Sequence, residues 1–503
     1  MSEDAASRVG GRRLVSGALW NALGRGLPLL LALALTPVLV GQLGIERWGL
    51  FTLALALVGV FGMLDLGVGP ALTRALSERI GAGVREGEGA LVASALAALV
   101  GISAVFAALA WWGVRPLVES VLNVPPALVE EAVGAMRVLV AAAPLVVANA
   151  ALWGVLAAHQ RFRAANLVTI PVSVFYYLGP VLVLAVWNSL IGAMLALVAC
   201  RAANTVSYAL LVRPIVPGIR LSAVRLAPVL PLLRFGGWMT FASALSQALA
   251  YADRFLIGAL LTLSAVAFYA TPLDLVMRFW ILPVAVAQAL LPALASSFRS
   301  LPAETVALLR KATLLIAAIV LPAAIILVAF AGPLLRLWLG AEFAAGGAGV
   351  LAMLGVGILF NCLAFAPGSL IEAVGRPDLI ARFALAQALV FVPLSALLLL
   401  AAGIEGVAVA WALRALADCA GRAVLAARVY PPAREALRAL ASPVAASGAG
   451  LALAAAMPSA GAALGVGAAT AVAFTVLAWR SLAGDERAWL AGALRSPATV
   501  LRR

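Results

Sequence analysis

The sequence predicts an all-α protein that crosses a membrane many times, and its composition, hydropathy and long apolar runs support this fold class. Of the 503 residues, 65% are hydrophobic and 11% are charged, and the mean hydropathy is +1.10. Soluble domains carry about 25% charged residues. A chain with so little charge cannot cover a water-facing surface, so lipid must surround it. The alternating pattern of a transmembrane β-barrel is not visible.

Apolar runs of about 20 residues, the length that a membrane-spanning helix needs, recur along the whole chain. We predict about 14 transmembrane helices, approximately at 14–40, 48–68, 89–112, 134–158, 164–187, 190–212, 236–261, 265–296, 312–335, 346–370, 380–402, 406–427, 442–457 and 460–481. The thirteenth run is short and rich in alanine, so we leave open whether it crosses the membrane completely.

The first and second groups of six spans show signs of a parallel repeat. Trp20, Gly41 and Pro70 recur in the same order as Trp238, Gly258 and Pro292, at offsets of about 220 residues, as an internal repeat requires. We therefore predict an amino-terminal lobe at 1–212, a proline-rich cytoplasmic linker at 213–235, a carboxyl-terminal lobe at 236–427, two further helices at 442–482 and a cytoplasmic tail at 483–503.

Arginine placement predicts the orientation. With the amino terminus in the cytoplasm, the cytoplasmic segments hold 25 of the 35 lysines and arginines, and the outside loops hold only Arg47, Arg115, Arg137 and Arg336. The positive-inside rule then places both termini in the cytoplasm. Anionic lipid head groups account for the net charge of +14, so no nucleic-acid partner is predicted. The run after residue 13 is interpreted as a retained first span rather than a signal peptide.

Charged side chains inside the predicted spans are the candidate functional residues, because each costs roughly 2.5–3.5 kcal/mol at the centre of a bilayer. Six arginines and four aspartates fall within spans: Arg25, Arg201, Arg254, Arg278, Arg414, Arg422, Asp65, Asp253, Asp274 and Asp418. Their distribution over several spans predicts a polar, arginine-biased cavity between the two helical halves.

We interpret five of these arginines as contacts for an anionic substrate, since a guanidinium donates parallel hydrogen bonds to a diphosphate. They are Arg25, Arg201, Arg254, Arg278 and Arg414. The aspartates Asp65, Asp253, Asp274 and Asp418 are assigned to coupling or to structural pairs. Asp274 lies four residues before Arg278, and Asp418 lies four residues from both Arg414 and Arg422, so the alternative is that these pairs only hold helices in register. Asp65 and Arg422 lie near the cytoplasmic end, where snorkelling is the alternative.

The remaining reactive residues do not indicate catalysis or a metal site. His159, the only histidine, is interpreted as a surface residue at the cytoplasmic interface, with proton coupling as the alternative. Cys200, Cys362 and Cys419 lie in apolar runs without metal-ligand spacing. No catalytic constellation is recognisable. We therefore predict that the protein is not an enzyme and has no metal or cofactor, with coupling to H⁺ or Na⁺ as a possibility.

Four motifs resemble those of bacterial polysaccharide flippases, the O-antigen and exopolysaccharide translocases of the multidrug/oligosaccharidyl-lipid/polysaccharide (MOP) superfamily. The motifs occupy residues 44–50, 64–74, 253–258 and 268–269. The resemblance implies a two-lobed protein of the bacterial inner membrane that moves undecaprenyl-diphosphate-linked oligosaccharide by alternating access without ATP. It also implies coupling to a proton or sodium gradient, and it makes polysaccharide polymerase or assembly proteins possible partners.

Three other functions stay open. A MATE-like drug or cation exporter belongs to the same superfamily, but an excess of arginine in the cavity disfavours cations. A non-transporting membrane scaffold of a glycan-assembly complex would tolerate loss of the arginines. An integral-membrane glycosyltransferase is disfavoured by the small outside loops, of which the largest, 113–133, has no recognisable acidic motif.

Overall fold

The computed structural model describes residues 28–61, 68–220, 222, 224–225, 251–482, 484 and 487. In these residues the regular secondary structure is entirely helical, as the sequence predicts. The chain divides into two compact units, unit 1 at Met1–Ala267 and unit 2 at Phe268–Arg503. The predicted domain boundaries at 212, 236 and 427 stay a prediction.

Unit 1 holds nine helices and the start of a tenth in its described part. They are α1 (Pro28–Leu43), α2 (Ile45–Phe61), α3 (Val68–Gly81), α4 (Glu88–Pro116), α5 (Val129–Ala141), α6 (Ala143–Ala158), α7 (Phe162–Val186), α8 (Leu190–Val212), α9 (251–260) and the first residues of α10 (Leu263–Met277). A core of buried apolar side chains joins α3, α4, α6 and α8 with the chain that follows α8; it includes Leu76, Val92, Val155 and Val216.

The described part of unit 2 continues α10 and adds eight helices. They are α11 (Ile281–Ser297), α12 (Pro302–Ala329), α13 (Ala331–Leu339), α14 (Ala341–Leu363), α15 (Phe365–Ala373), α16 (Pro377–Val429), α17 (Arg434–Ala455) and α18 (Ala460–Ser481). The helix α16 contains two predicted spans that meet at a kink, where Ala402 and Gly403 leave the helical conformation. Gly403 has a φ of 61° there, a backbone conformation that glycine adopts without steric cost.

Ten segments of the described chain are long and apolar enough to cross a membrane. Each of the fourteen predicted spans contains helical residues, and spans 6 and 14 match α8 and α18 at both ends. The thirteenth span is longer than the apolar run indicated, since α17 has 22 residues. It extends about 33 Å at 1.5 Å per residue, enough for the hydrocarbon core. Its first turns carry Arg434 and Arg438, and these charges made the predicted run begin too late, at residue 442.

A hydrogen-bonded network built on Arg47 joins three elements of unit 1. Arg47 pairs with Glu131 of α5 and donates to Asn188 Oδ1 at 2.8 Å, in the connection between α7 and α8. The backbone N–H of Leu190 donates to the same Glu131 carboxylate at 2.7 Å. This contact stabilises the start of α8 because the first N–H groups of a helix have no partner within it.

The side chain of His159 is buried, so its interpretation as a surface residue is wrong. Its side chain is 6% exposed and that of Glu88 is 4% exposed, and Nε2 lies 3.6 Å from Glu88 Oε2. Nδ1 lies 3.0 Å from the carbonyl oxygen of Val155 and donates to it. The sequence did not reveal this pair because Glu88, at the start of α4, is distant from His159 along the chain.

Two glycines of helix α4 allow a test of how closely unit 1 is packed, because one lies against other backbone atoms and the other faces open space. A Cβ atom on Gly89 would lie 2.5 Å from the carbonyl oxygen of Pro217, whereas one on Gly101 would meet nothing within 4 Å. We expect Gly89→Ala to lower the free energy of unfolding by about 1–3 kcal/mol through overpacking. Gly101→Ala, the matched control, should leave it unchanged or raise it by up to about 1 kcal/mol. Thermal unfolding of both variants in detergent measures the difference, and equal midpoints would contradict this packing.

Candidate functional site

Arg201 lies at the midpoint of α8, eleven residues from either end. It borders a cavity of about 360 Å³ in unit 1, between α6, α7 and α8. The polar residues of its lining are Asn149, Thr169, Ser173, Tyr176, Arg201 and Asn204. A guanidinium at this depth would be costly in contact with lipid. The polar lining gives it a different environment, one that can hold water or a polar ligand.

The guanidinium of Arg201, which borders this cavity, has hydrogen-bonding capacity that the described residues do not use. Its Nη2 donates to Tyr176 Oη at 3.3 Å, and the guanidinium carbon lies 5.5 Å from the centre of the Tyr176 ring. Within the described residues, Arg201 Nε and Asn149 Nδ2 are buried without a hydrogen-bond partner. The cavity lining contains no carboxylate. Unpartnered donors beside an uncompensated positive charge favour binding of an anion.

Two more of the predicted arginines also lie over aromatic rings. The guanidinium carbon of Arg254 is 5.4 Å from the centre of the Tyr251 ring, and that of Arg414 is 4.9 Å from the centre of the Phe391 ring. The negative face of a ring attracts the cation without accepting all of its N–H groups. For Arg201 and Arg414 the ring therefore stabilises the cation while leaving donors for a ligand, which a bidentate carboxylate does not.

Asp253 and Arg254 are both buried, at 2% and 6% exposure. Asp253 Oδ1 accepts the backbone N–H of Arg254 at 2.8 Å. Both residues have further interactions, so this pair belongs to a larger polar arrangement near the start of α9.

The predicted pairs on α10 and α16 differ from each other. Arg422 Nε lies 2.9 Å from Asp418 Oδ1, with side-chain exposures of 24% and 14%, so these two form the i,i+4 pair that the spacing suggested. Arg278 is exposed and makes no ion pair with Asp274 or with another described carboxylate, whereas Asp274 has a different interaction. Arg25 and Asp65 lie outside the described residues.

Sequence reasoning missed the uncharged members of the Arg201 cavity because it considered only charged side chains. A signal was present: Thr169, Ser173 and Tyr176 are spaced by four and three residues, which places them on one face of α7. This polar stripe on a largely apolar helix indicates a surface that does not face lipid.

Unit 2 contains an apolar cavity of about 610 Å³ between α12, α14, α15, α16 and α17. Small side chains form one wall, with Ala441, Ala445 and Ala449 on one face of α17, and Val409, Leu416 and Phe360 contribute on other helices. This lining offers no charged group, so it suits a hydrocarbon chain. Among the described residues, no group of three or more His, Cys, Asp or Glu side chains is placed to bind a metal ion.

Comparison with known proteins places this chain in a family. The sequence model of the family described as Polysaccharide biosynthesis protein matches residues 14–298, more than half of the chain. The chain belongs to this family. A Shigella flexneri protein named "Putative O-antigen transporter" is 26% identical over 412 residues, which cover 80% of this chain and 96% of the relative.

Two solved structures show that this member of the polysaccharide biosynthesis family has the fold of the MOP superfamily. An inward-facing multidrug resistance MATE family transporter of that superfamily matches with a TM-score of 0.71 and 17% identity, covering 82% of this chain and 99% of the other. The lipid II flippase MurJ, in an inward closed conformation, matches with a TM-score of 0.67 and 12% identity, covering 93% and 99%. The predicted fold class is confirmed. These relatives are transporters and a flippase, in agreement with the prediction that the chain is not an enzyme.

The Asp418–Arg422 pair provides a test of a structural role. Removing one partner leaves a partly buried charge unpaired, so Asp418→Leu and Arg422→Met should each destabilise the protein, by up to about 3–5 kcal/mol. The double variant should recover most of that loss, because it removes both charges. Thermal unfolding of the four proteins measures the coupling. Additive losses in the double variant would show that the pair does not stabilise the helix.

Proposed function

We propose that this protein transports a lipid-linked glycan, undecaprenyl-diphosphate-linked oligosaccharide, across the bacterial inner membrane by alternating access. The observation that carries the proposal is the Arg201 cavity. It presents an uncompensated guanidinium and unpartnered donors at the midpoint of a membrane span. A diphosphate crossing a medium that rejects charge needs such donors at that depth. The family and the named relatives support a glycan-bearing lipid as the substrate.

The arginines have different proposed roles. Arg201 contacts the diphosphate from the cavity of unit 1, and Arg25, Arg254, Arg278 and Arg414 supply further positive charge along the path. Asp418 is assigned a structural role through its ion pair with Arg422. Asp65, Asp253 and Asp274 are the proposed sites for coupling to H⁺ or Na⁺. Both termini lie in the cytoplasm in this proposal, and polysaccharide polymerase or assembly proteins are its possible partners.

The apolar cavity of unit 2 supplies the second part of the proposal, a place for the polyprenyl chain. Lipid tails are as apolar as such a chain, so inside a bilayer the cavity selects by shape rather than by hydrophobicity. The small side chains of Ala441, Ala445 and Ala449 on α17 leave room in the cavity for a bulky hydrocarbon chain.

A MATE-like cation exporter is the second candidate function, and the TM-score of 0.71 favours it only at the level of the fold. An exporter of cations needs carboxylates in its binding cavity, whereas the lining of the Arg201 cavity contains none. A non-transporting scaffold would not explain why the cavity has donors without partners.

The first test replaces Arg201. Proteoliposomes receive lipid-linked glycans extracted from the cells that make the protein, and an impermeant glycosidase reports their movement, with and without imposed H⁺ or Na⁺ gradients. A charge-assisted hydrogen bond contributes about 1.5–3 kcal/mol, so Arg201→Ala should slow transport about 10- to 100-fold, and Arg201→Lys should slow it less. Arg25→Ala and Arg254→Ala should also impair transport.

Arg213→Ala is the matched control, because Arg213 is exposed just after the end of the same helix. It should transport at the wild-type rate. Wild-type transport by Arg201→Ala would overturn the assignment of its cavity. Absence of transport by the unmodified protein would favour the scaffold.

The second test fills the apolar cavity. Ala445→Phe places a ring among its lining residues, so it should reduce the preference for a 55-carbon carrier over a short polyprenyl carrier with the same head group. Ser442→Phe is the control, because Ser442 is exposed on α17 and does not line the cavity. Competition between the two carriers in the transport assay measures the preference. An unchanged preference in Ala445→Phe would exclude this cavity as the tail site.

A further inference from the structure

Trp280 occupies an unusual position in unit 2. It lies at the midpoint of the apolar segment Leu263–Ser297, seventeen residues from either end. Exposed tryptophans of membrane proteins concentrate at the two membrane–water interfaces, where their rings sit among the head groups. Trp280 is 41% exposed, yet it lies at the centre of this apolar segment rather than at either end, so anchoring at an interface does not explain it.

The helix breaks where this side chain is presented. Arg278–Trp280 form a 3₁₀ turn between α10 and α11. Pro283 follows in the first turn of α11, and proline lacks the N–H that would continue the hydrogen bonding of the preceding helix. A 3₁₀ segment within a long helix often marks a functional hinge or a strained sequence.

Two neighbours hold the indole ring in a fixed orientation. Its Nε1–H donates to Asn361 Oδ1 on α14. The ring of Phe365 meets it edge to face, with centroids 5.8 Å apart and planes at 76°. These contacts use one edge of the indole and leave part of its surface uncovered.

The polar groups near Trp280 indicate that this surface does not face acyl chains. Asn361 has used its carbonyl oxygen, and no described residue accepts a hydrogen bond from its amide nitrogen. Arg278, in the same 3₁₀ turn, is exposed and without an ion pair among the described residues. An unpartnered amide and a guanidinium at mid-membrane depth would both be costly in hydrocarbon.

We propose that Trp280 is a stacking platform for a saccharide ring of the transported glycan, with the Asn361 amide donating to a neighbouring hydroxyl. One face of a pyranose presents C–H groups that pack on an aromatic ring, and its rim presents hydroxyls that need hydrogen-bond partners. A rigid indole beside a free amide provides both contacts. Arg278 disfavours a cationic occupant and suits an acidic sugar or the adjacent diphosphate. The assignment rests on the proposed function, whose substrate carries the glycan.

The test compares two probes on the full-length protein in nanodiscs: undecaprenyl diphosphate, and the lipid-linked glycans extracted from the cells that make the protein. The unmodified protein should bind the glycan-bearing lipid more tightly. Trp280→Ala should weaken binding of that lipid at least tenfold and leave the affinity for undecaprenyl diphosphate unchanged. Trp280→Phe, which keeps a ring, and Asn361→Leu, which frees the indole, should each lose less. Trp187→Ala is the control, because this exposed tryptophan follows the end of α7.

The outcomes distinguish failure of the stacking platform from failure of the proposed function. Loss of the glycan-dependent affinity in Trp280→Ala, with unchanged thermal unfolding, supports the platform. Equal weakening toward both probes, or no weakening at all, overturns the platform and leaves the proposed function intact. If the unmodified protein binds neither probe, the proposed function fails, and the platform fails with it.

Discussion

The absence of water from the bilayer core is the constraint on which this structure depends. Every polar group placed there needs a partner within the protein or a polar cavity. The chain meets this requirement for its intramembrane arginines in two ways. Arg422 is paired with Asp418 at 2.9 Å. This pair stabilises the cation and uses one of its N–H groups. Arg201 and Arg414 instead lie over aromatic rings, an arrangement that stabilises the charge and leaves N–H groups for a ligand.

Close packing of the helices follows from the same constraint, because lipid provides no hydrophobic force that drives helices together. Contact must come from van der Waals packing, and small residues allow the helices to approach closely. Gly357 receives the ring of Trp411, Gly448 the ring of Phe360 and Gly421 the ring of Phe383, each at a distance that a Cβ atom would obstruct. Aromatic rings therefore have two functions in this protein, packing on glycine and supporting arginine.

Composition and the length of the apolar runs were sufficient to predict the fold, because a membrane span is a local property of the sequence. Spans 6 and 14 were predicted to the residue. The predicted span 13 was shorter than α17 only because Arg434 and Arg438 lie in the first turns of that helix. The candidate sites were predicted less completely. A count of charged residues identified Arg201, but the rings beneath Arg201 and Arg414, like the contact between Glu88 and His159, depend on how separate helices pack. No local pattern contains that information, although the polar stripe on α7 could have been recognised.

The chemistry of the described sites favours the proposed glycolipid over a small cation as the substrate. A lipid-linked glycan has an anionic group, a long hydrocarbon chain and saccharide rings. The chain offers a polar cavity with an uncompensated guanidinium, an apolar cavity lined by small side chains and an exposed indole held beside an amide. A small cation would need only a carboxylate and an aromatic surface, and it would be repelled by Arg201 and Arg278. Three separate chemistries at membrane depth are explained together by a substrate that itself contains all three.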